Sequence, residues 1–141
     1  MSVGKLGPKN VITISPDSDL EDATETLDKE NVGALVVTED NEPVGILTDR
    51  DAALTIHKKD DASSASIEDV MTEDLATLHE DDGSLAISEA IEEHNVRRFP
   101  IVDDNGELTG IATVDDLVAV IGEQLENVAE TIETQSPEYS P

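Results

Sequence analysis

The sequence predicts an α+β fold in which two β-α-β-β-α repeats pack about a pseudo-twofold axis into one domain. Three observations support this prediction. The second half of the chain repeats the first half, strand-like and helix-like patterns follow in the same order in both halves, and only 1% of the residues are aromatic. An aliphatic core must pack closely, and its β-branched residues suit short strands that pack on small helices.

The duplication becomes visible when the chain is shifted by 64 residues, which aligns Asn31–Val32 with Asn95–Val96. The second turn is one residue longer, so that a shift of 65 residues then aligns "GILTDRD" at 45–51 with "GIATVDD" at 110–116. Chance matches between acidic residues are common in this chain. The Asn-Val and Gly-Ile-x-Thr matches are more specific, and they indicate a true duplication.

In the first repeat, apolar runs predict strands, and apolar residues three and four apart predict helices. The predicted elements are a strand at 11–14, a helix with Leu20, Ala23 and Leu27 on its apolar face, a hairpin of strands at 34–38 and 44–47, and a second helix that starts at Asp49. Ser18, followed three residues later by Glu21, predicts a capping box for the first helix.

The second repeat predicts the same order of elements after a polar linker at 58–66. These elements are a strand at 76–78, a helix at 85–94, strands at 99–102 and 108–112, and a helix that starts at Val114 and that Leu125, Val128 and Ile132 extend. Pro100 cannot donate a backbone hydrogen bond, so we expect it at the start of its strand or on an edge strand. The segment 134–141 is expected to fray. The repeats are therefore assigned to 1–62 and 63–125, and a helical extension with a frayed tail to 126–141.

The charge of the chain restricts its environment and its partners. It has 34 acidic residues against 8 Lys plus Arg, a net charge of −26, and no cysteine. We interpret this composition as that of a folded protein from a salt-loaded cytoplasm, as in a halophilic archaeon, because concentrated salt screens the repulsion. The acidic surface disfavours nucleic acid and anionic membranes as partners. No membrane-spanning run or signal-peptide pattern is present in the sequence, and we expect a cytoplasmic protein.

The repeated motif has two interpretations. In the first, Thr48 caps the second helix, Asp51 completes a capping box, and Gly45 allows close backbone approach. In the second, the same helix end holds an anion: the Thr48 hydroxyl and nearby N–H groups bind a phosphate, and Asp51 accepts hydrogen bonds from the vicinal hydroxyls of a ribose. Thr113 and Asp116 repeat this arrangement in the second copy.

The placement of arginine favours the second interpretation. The arginines are Arg50, inside the first motif, and Arg97 and Arg98, before the central strand of the second copy. Arginine suits bidentate recognition of phosphate, although pairing with nearby surface acids is an alternative explanation. The first copy has Gly33 and Ala34 at the positions of the arginine pair, so we predict two unequal clefts, of which the second is the better site for a phosphate.

No pattern in the sequence predicts catalysis or metal binding. His57, His79 and His94 lie far apart, without the spacing of a metal site. Carboxylates are so frequent that a pair of them carries no information, and the sequence contains no phosphate-binding loop of the GxxxxGK[ST] type. We therefore expect no catalytic residues, no metal and no enzymatic activity.

The chain resembles a cystathionine-β-synthase (CBS) domain pair up to about Gly122. The resemblance rests on both copies of the motif, on "VMT" at 70–72 and on "NVRRFPIVDDNGELTGI" at 95–111. It implies a stand-alone regulatory protein with two paired repeats, often assembled as a disc-shaped homodimer. It also implies clefts that bind AMP, ADP, ATP or S-adenosylmethionine as regulatory ligands, with no required cofactor.

The resemblance also implies a role for each motif residue. Asp51 and Asp116 would hold the ribose, and Thr48 and Thr113 the phosphate. Arg50 is added because arginine is scarce, and the candidate ligand-binding residues are then Thr13, Val32, Thr48, Arg50, Asp51, Thr77, Val96, Arg97, Arg98, Thr113 and Asp116. We predict a module that binds an adenosyl compound and signals to an unknown effector protein. The alternative is a ligand-free scaffold for dimerisation or protein–protein interaction.

The net charge predicts that the fold depends on salt. We expect dialysis to about 10 mM salt, where the Debye length is roughly 30 Å, to loosen or unfold the chain, because its acidic side chains then repel one another at long range. Circular dichroism before and after dialysis measures the effect, and the native spectrum should return in molar KCl. A spectrum that dialysis leaves unchanged would contradict this expectation.

Overall fold

The structure is a computed structural model that describes residues 2–6 and 10–135. Short 3-10 turns at Val3–Lys5 and Ala62–Ser64 accompany the regular elements. These elements are β1 Thr13–Ile14, α1 Leu20–Glu30, β2 Ala34–Glu39, β3 Glu42–Thr48, α2 Asp49–Lys58, α3 Ile67–Val70, β4 Leu78–His79, α4 Leu85–His94, β5 Arg98–Val102, β6 Leu108–Thr113 and α5 Val114–Gln135.

Each repeat folds around a three-stranded sheet. In the first sheet β1 pairs parallel with β2, which pairs antiparallel with β3, and β4, β5 and β6 form the second sheet in the same way. Asp40 and Asn41 make the first hairpin turn with positive φ angles of 51° and 65°, a conformation that short polar residues tolerate. In the longer second turn, Gly106 takes up the positive-φ conformation, with φ 80°. The predicted α+β fold of two repeats is confirmed.

The opening segment of each repeat packs into the core of the other repeat. Val3, from the start of the first repeat, belongs to the core of the second repeat, and Ile67, from the start of the second repeat, belongs to the core of the first. Both side chains are 0% exposed. The backbone contacts are equivalent, because Val3 N donates to Asp82 O at 2.7 Å and Ile67 N donates to Ser18 O at 2.9 Å. This exchange gives the molecule its pseudo-twofold symmetry.

The two cores are aliphatic except for Phe99, which is fully buried in the second repeat. The first core contains Leu20, Ala23, Leu27, Leu35, Val37, Leu47, Ala52 and Ile67. The second contains Val3, Leu6, Ala76, Leu78, Ile87, Ala90, Phe99, Ile101, Ala112 and Val120. The helices and sheets thus bury the apolar faces that the sequence pattern predicts.

The predicted capping box of α1 is wrong. Asp19 is the N-cap residue, and its carboxylate accepts a hydrogen bond of 2.9 Å from Asp22 N. The carbonyl of Ser18 accepts the hydrogen bond from Ile67 N, which holds Ser18 against the exchanged segment, one residue before the cap. A contact between distant segments therefore shifts the helix start by one residue, and the local pattern contains no sign of it.

The expected position of Pro100 is also wrong, because Pro100 is the third residue of β5, the central strand of its sheet. Its counterpart in the first repeat, Val36, donates its backbone N–H to Ile12 O at 3.2 Å. Proline lacks this donor. The parallel pairing in the second repeat accordingly starts one residue later, with Leu78 opposite Ile101. A central proline is tolerated because the neighbouring strand is short.

The ends of several elements also differ from the prediction. The first strand of each repeat is two residues long, at 13–14 and 78–79. Thr134 and Gln135 belong to α5 and are not frayed. The remainder of the expected tail, 136–141, lies outside the described residues.

Gly45 packs closely against the segment between the repeats. A Cβ atom at this position would clash with the side chain of Met71 and lie 3.2 Å from the carbonyl oxygen of Thr72. We expect Gly45→Val to lower the free energy of unfolding by about 1–3 kcal/mol, the usual cost of overpacking. Urea denaturation in molar KCl measures this change.

Gly122 provides the control for this prediction, because a Cβ atom there would meet nothing within 4 Å. Gly122 lies inside α5. Gly122→Ala should therefore raise helix stability by about 0.5–1 kcal/mol. If the two glycine variants changed stability in the same direction, the proposed steric role of Gly45 would be wrong.

Candidate functional site

Both copies of the repeated motif form a capping box. Thr48 Oγ1 accepts from Asp51 N at 3.1 Å, and Asp51 Oδ2 accepts from Thr48 N at 2.9 Å. In the second copy Asp116 Oδ2 accepts from Thr113 N at 2.8 Å, and Thr113 Oγ1 accepts from Asp116 N at 3.3 Å. The first interpretation of the motif is therefore confirmed. It does not exclude the second, since an ionised carboxylate has two oxygens and several lone pairs.

A cavity of about 230 Å³ lies between the two repeats. Three elements form it: the end of β3 in the first repeat, the segment 72–76, and the connection from α4 to β5. Its lining residues are Ile46, Thr48, Thr72, Asp74, Leu75, Ala76, Asn95, Val96, Arg97 and Arg98. The cavity therefore joins Thr48 from the first copy of the motif to the arginine pair of the second repeat.

Backbone contacts hold the walls of this inter-repeat cavity in place. Ile46 N donates to Thr72 O at 3.0 Å, and Thr72 N donates to Ile46 O at 2.9 Å, so that the segment 72–76 runs beside the end of β3. On the opposite wall α4 ends at Asn95, which has a left-handed φ of 53°. The left-handed residue turns the chain toward β5 and presents Val96 and the arginines to the cavity.

The arginine pair is exposed and close to both repeats. Arg97 and Arg98 also border Thr113 and Asp115 around a smaller space of about 100 Å³. Nη2 of Arg98 lies 3.5 Å from the position that a Cβ atom of Gly33 would occupy, so its side chain extends over the first repeat. Among the described residues, no carboxylate oxygen lies within 4 Å of a guanidinium nitrogen. The alternative that these arginines pair with surface acids thus finds no support there.

The other predicted ligand-binding residues lie outside the inter-repeat cavity. Thr13, Thr77, Val32 and Arg50 are exposed. Asp51 lines a separate space of about 130 Å³ with Lys58 and Lys59, and Asp116 is half-buried in its capping box. The residues that correspond to 72–76 in the sequence of the first repeat are 8–12, of which 8 and 9 lie outside the described residues.

Sequence reasoning missed the wall formed by 72–76. It used "VMT" at 70–72 only as a sign of family resemblance. The available signal was the apolar pair Leu75–Ala76, which lines the cavity before β4 starts at Leu78. Periodicity does not reveal the hydrogen bonds between Thr72 and Ile46, because these residues belong to different repeats.

A second, larger cavity of about 590 Å³ lies between α1 and α2, with Ala62 and Ser63 at one end. It is lined by Leu20, Glu21, Thr24, Leu27, Asp28, Asn31, Asp49, Ala52, Ala53, Ile56, Ala62 and Ser63. Its described lining is apolar with an acidic rim and has no basic side chain, so it offers a phosphate no electrostatic partner. The predicted ligand-binding residues do not line this α1–α2 groove.

The structure brings His79 together with Asp81 and Asp104, whose side chains are of metal-binding type. The histidine is already hydrogen-bonded on both sides, because Nδ1 accepts from Asp81 N at 3.1 Å and Nε2 lies 2.6 Å from Asp104 Oδ1. The hydrogen bond with Asp104 raises the pKa of His79, and the negative charges of Asp104, Asp81 and Asp82 add to this effect. The network therefore links β4 to the second hairpin turn, and the absence of a metal site stays a prediction.

The comparisons with known proteins agree with this architecture. The family model of the CBS domain matches residues 3–58 and 67–123, and the chain therefore belongs to the CBS-domain family. The uncharacterized protein MK0525 of Methanopyrus kandleri is 32% identical over 144 residues, covering 94% of this chain and 72% of that protein. The CBS domain-containing protein YhcV of Bacillus subtilis is 34% identical over 107 residues, covering 76% of each chain.

A solved structure shares both the fold and the pairing of the repeats. The CBS domain pair of protein MJ0100, crystallised in complex with 5′-methylthioadenosine and S-adenosyl-L-methionine, superposes with a TM-score of 0.76. The two chains are 26% identical, and the match covers 88% of this chain and 98% of that one. The fold is therefore that of a CBS pair. Within the described range, no helix is both long and apolar enough to cross a bilayer.

His79 gives stability a defined pH dependence. Its pKa is raised in the folded chain, so folding favours the protonated ring. The stabilisation is fully present below the unfolded pKa of about 6.5 and is lost as the pH rises through the folded pKa. Thermal unfolding of the native chain and of His79→Gln should differ most below pH 6.5, and this difference should shrink as the pH rises.

His57→Gln controls for the loss of an imidazole, since His57 is exposed on α2 and has no carboxylate within 4 Å among the described residues. A difference between native chain and His79→Gln that grows with pH would contradict the proposed effect of Asp104.

Proposed function

We propose that the chain is a regulatory, non-catalytic sensor that binds an adenosyl compound in the inter-repeat cavity. The observation that supports this most directly is the composition of the cavity wall. The wall combines the Thr48 hydroxyl, apolar side chains and two arginines that have no carboxylate within 4 Å among the described residues. Such a set suits a ligand with an apolar ring at one end and an anionic group at the other.

The chemistry of each wall suggests how the ligand lies. Ile46, Leu75 and Val96 provide apolar surface for a purine ring, and Thr48 provides a hydroxyl for its sugar or phosphate. Arg97 and Arg98 are placed to hold a phosphate in a bidentate manner. A space of about 230 Å³ lies below the roughly 300–1,000 Å³ of typical drug sites, so it suits a nucleoside, with its phosphate at the exposed arginines.

The charge of the chain sharpens this proposal. With a net charge of −26, the protein repels anions over most of its surface, and molar salt is needed to screen that repulsion. Two adjacent arginines beside a cavity are a local exception. They favour AMP, ADP or ATP over S-adenosylmethionine, whose sulfonium group is cationic. The MJ0100 pair, which binds adenosyl compounds, supports the wider ligand class.

Binding in this cavity provides a route to regulation. Its walls come from both repeats, so a ligand that prefers one relative position of the repeats shifts the population toward that position. We propose that the chain acts as a homodimer in the cytoplasm and that a separate effector protein responds to the shift. We expect neither nucleic acid nor anionic membranes as partners, because the acidic surface repels both.

The alternative is a ligand-free scaffold for dimerisation or protein interaction. One observation favours it: both motifs form complete capping boxes without any ligand. Local stability then suffices to explain why Thr48, Asp51, Thr113 and Asp116 recur in the two copies, since a capping residue contributes about 1 kcal/mol. The scaffold and the sensor differ in whether an adenosyl compound binds at all.

Calorimetry on an arginine-pair variant separates the two functions. In molar KCl we expect AMP to bind the native chain, and the double variant Arg97→Gln with Arg98→Gln to bind it at least about tenfold more weakly. Loss of one charge-assisted hydrogen bond costs about 1.5–3 kcal/mol, and 1.4 kcal/mol is a factor of ten. 5′-Methylthioadenosine, which has no phosphate, should bind both chains equally.

The matched control is Lys58→Gln with Lys59→Gln, which removes the same charge from two adjacent basic residues outside the inter-repeat cavity. This variant should bind AMP like the native chain. If AMP, ATP, S-adenosylmethionine and 5′-methylthioadenosine all failed to bind the native chain, the scaffold would be the better explanation. Equal losses in the two double variants would indicate a general charge effect and not a phosphate site.

A further inference from the structure

The last helix carries a row of large apolar side chains that no other described part of the chain covers. Leu117 and Val120 of α5 pack against the second core, but every residue from 121 to 135 is exposed. The row and its exposed fractions are Val118 63%, Ile121 46%, Leu125 65%, Val128 57% and Ile132 41%. A contiguous apolar surface of this kind marks an interaction site.

The spacing of the residues in this apolar row is that of a coiled-coil helix. The intervals from Val118 to Ile132 are three, four, three and four residues, which is the a/d pattern of a heptad repeat. Val118, Leu125 and Ile132 take the a positions, and Ile121 and Val128 take the d positions. The row is about 21 Å long at 1.5 Å per residue. A period of 3.5 residues suits another helix that runs alongside.

The residues that flank the row carry no charge. Gly122 and Ala129 occupy the e positions, and Gln124 and Thr131 the g positions. The Thr131 hydroxyl donates to the Asn127 carbonyl at 3.1 Å, so it adds no unsatisfied donor beside the row. Small or neutral flanks let a second helix approach closely.

The acidic residues of the exposed part of α5 lie on its other side. Glu123, Glu126, Glu130 and Glu133 all fall on b or f positions, which point away from the partner in a coiled coil. In a chain that has 34 acidic residues, this distribution is informative. It is the arrangement that two identical acidic helices need in order to meet without like charges at their interface.

We propose, resting on the homodimer of the proposed function, that its interface is α5 paired with α5 of a second copy of this chain through the row Val118 to Ile132. A basic partner would be recognised by acids beside the row, and none is present there. The α1–α2 groove of another copy does not suit the helix either, because Glu21, Asp28 and Asp49 line it and would face the acids of α5. A second α5 has the same heptad period, the same uncharged flanks and its acids on the same outer side. The two helices can therefore meet through identical surfaces, as a twofold interface requires.

Sedimentation equilibrium in molar KCl tests this pairing on the full chain. Leu125→Glu places a charge in the centre of the row, and Asn127→Glu places the same charge at a c position two residues further on. We expect the native chain and Asn127→Glu to self-associate with similar affinity. The Leu125→Glu chain should associate at least about tenfold more weakly, since a carboxylate at the interface must be desolvated. Circular dichroism should be unchanged, because Leu125 is 65% exposed and lies outside both cores.

Two results would overturn the proposal. One is a native chain that stays a single copy at all concentrations, and the other is equal self-association of Leu125→Glu and Asn127→Glu. The milder substitution Val128→Ser should weaken association in the same direction if Leu125→Glu also alters the fold. Both glutamate variants should bind AMP like the native chain, so a failure of this pairing is separate from a failure of ligand binding.

Discussion

The two repeats exchange their opening segments, and each segment is buried in the core of the other repeat. Val3 and Leu6 complete the second core, and Ile67 completes the first. Neither core is complete without residues from the opening segment of the other repeat. Removal of these aliphatic side chains would leave cavities in two small cores that have one buried aromatic ring between them. Each repeat therefore depends on the other repeat to complete its core.

This exchange also creates the inter-repeat cavity. Once Ile67 is buried in the first repeat, the chain must cross to β4 of the second, and it does so along the end of β3. The paired hydrogen bonds between Ile46 and Thr72 fix this path. A cavity whose walls belong to both repeats is a consequence of this connection. The duplication supplies the scaffold, and Arg97 and Arg98 make this side of the molecule chemically distinct.

The sequence predicts the order of elements and the duplication well, because both depend on local periodicity and on matches between the copies. The helix at 85–94 agrees to the residue. It predicts less well where distant segments meet. The carbonyl of Ser18 is bound to Ile67, so the helix cap moves to Asp19, and Pro100 occupies a central strand because its neighbour β4 is short. The same holds for the site. The arginine pair can be picked out from the sequence because arginine is rare in this chain. Its proximity to Thr48 cannot, because it depends on how the chain crosses between the repeats.

The distribution of acidic residues connects the fold, the site and the last helix. A charge of −26 on 141 residues leaves few surfaces on which an anion or another copy of the chain can approach without repulsion. The arginine pair beside the cavity is one such surface, and the uncharged flanks of the apolar row on α5 are another. They lie on different elements and differ in chemistry, since one carries positive charge and the other carries none. Concentrated salt screens the acids around both surfaces, so the salt dependence that the charge predicts for folding extends to the proposed ligand binding and the proposed self-association. All three share one physical cause, the range over which the carboxylates repel.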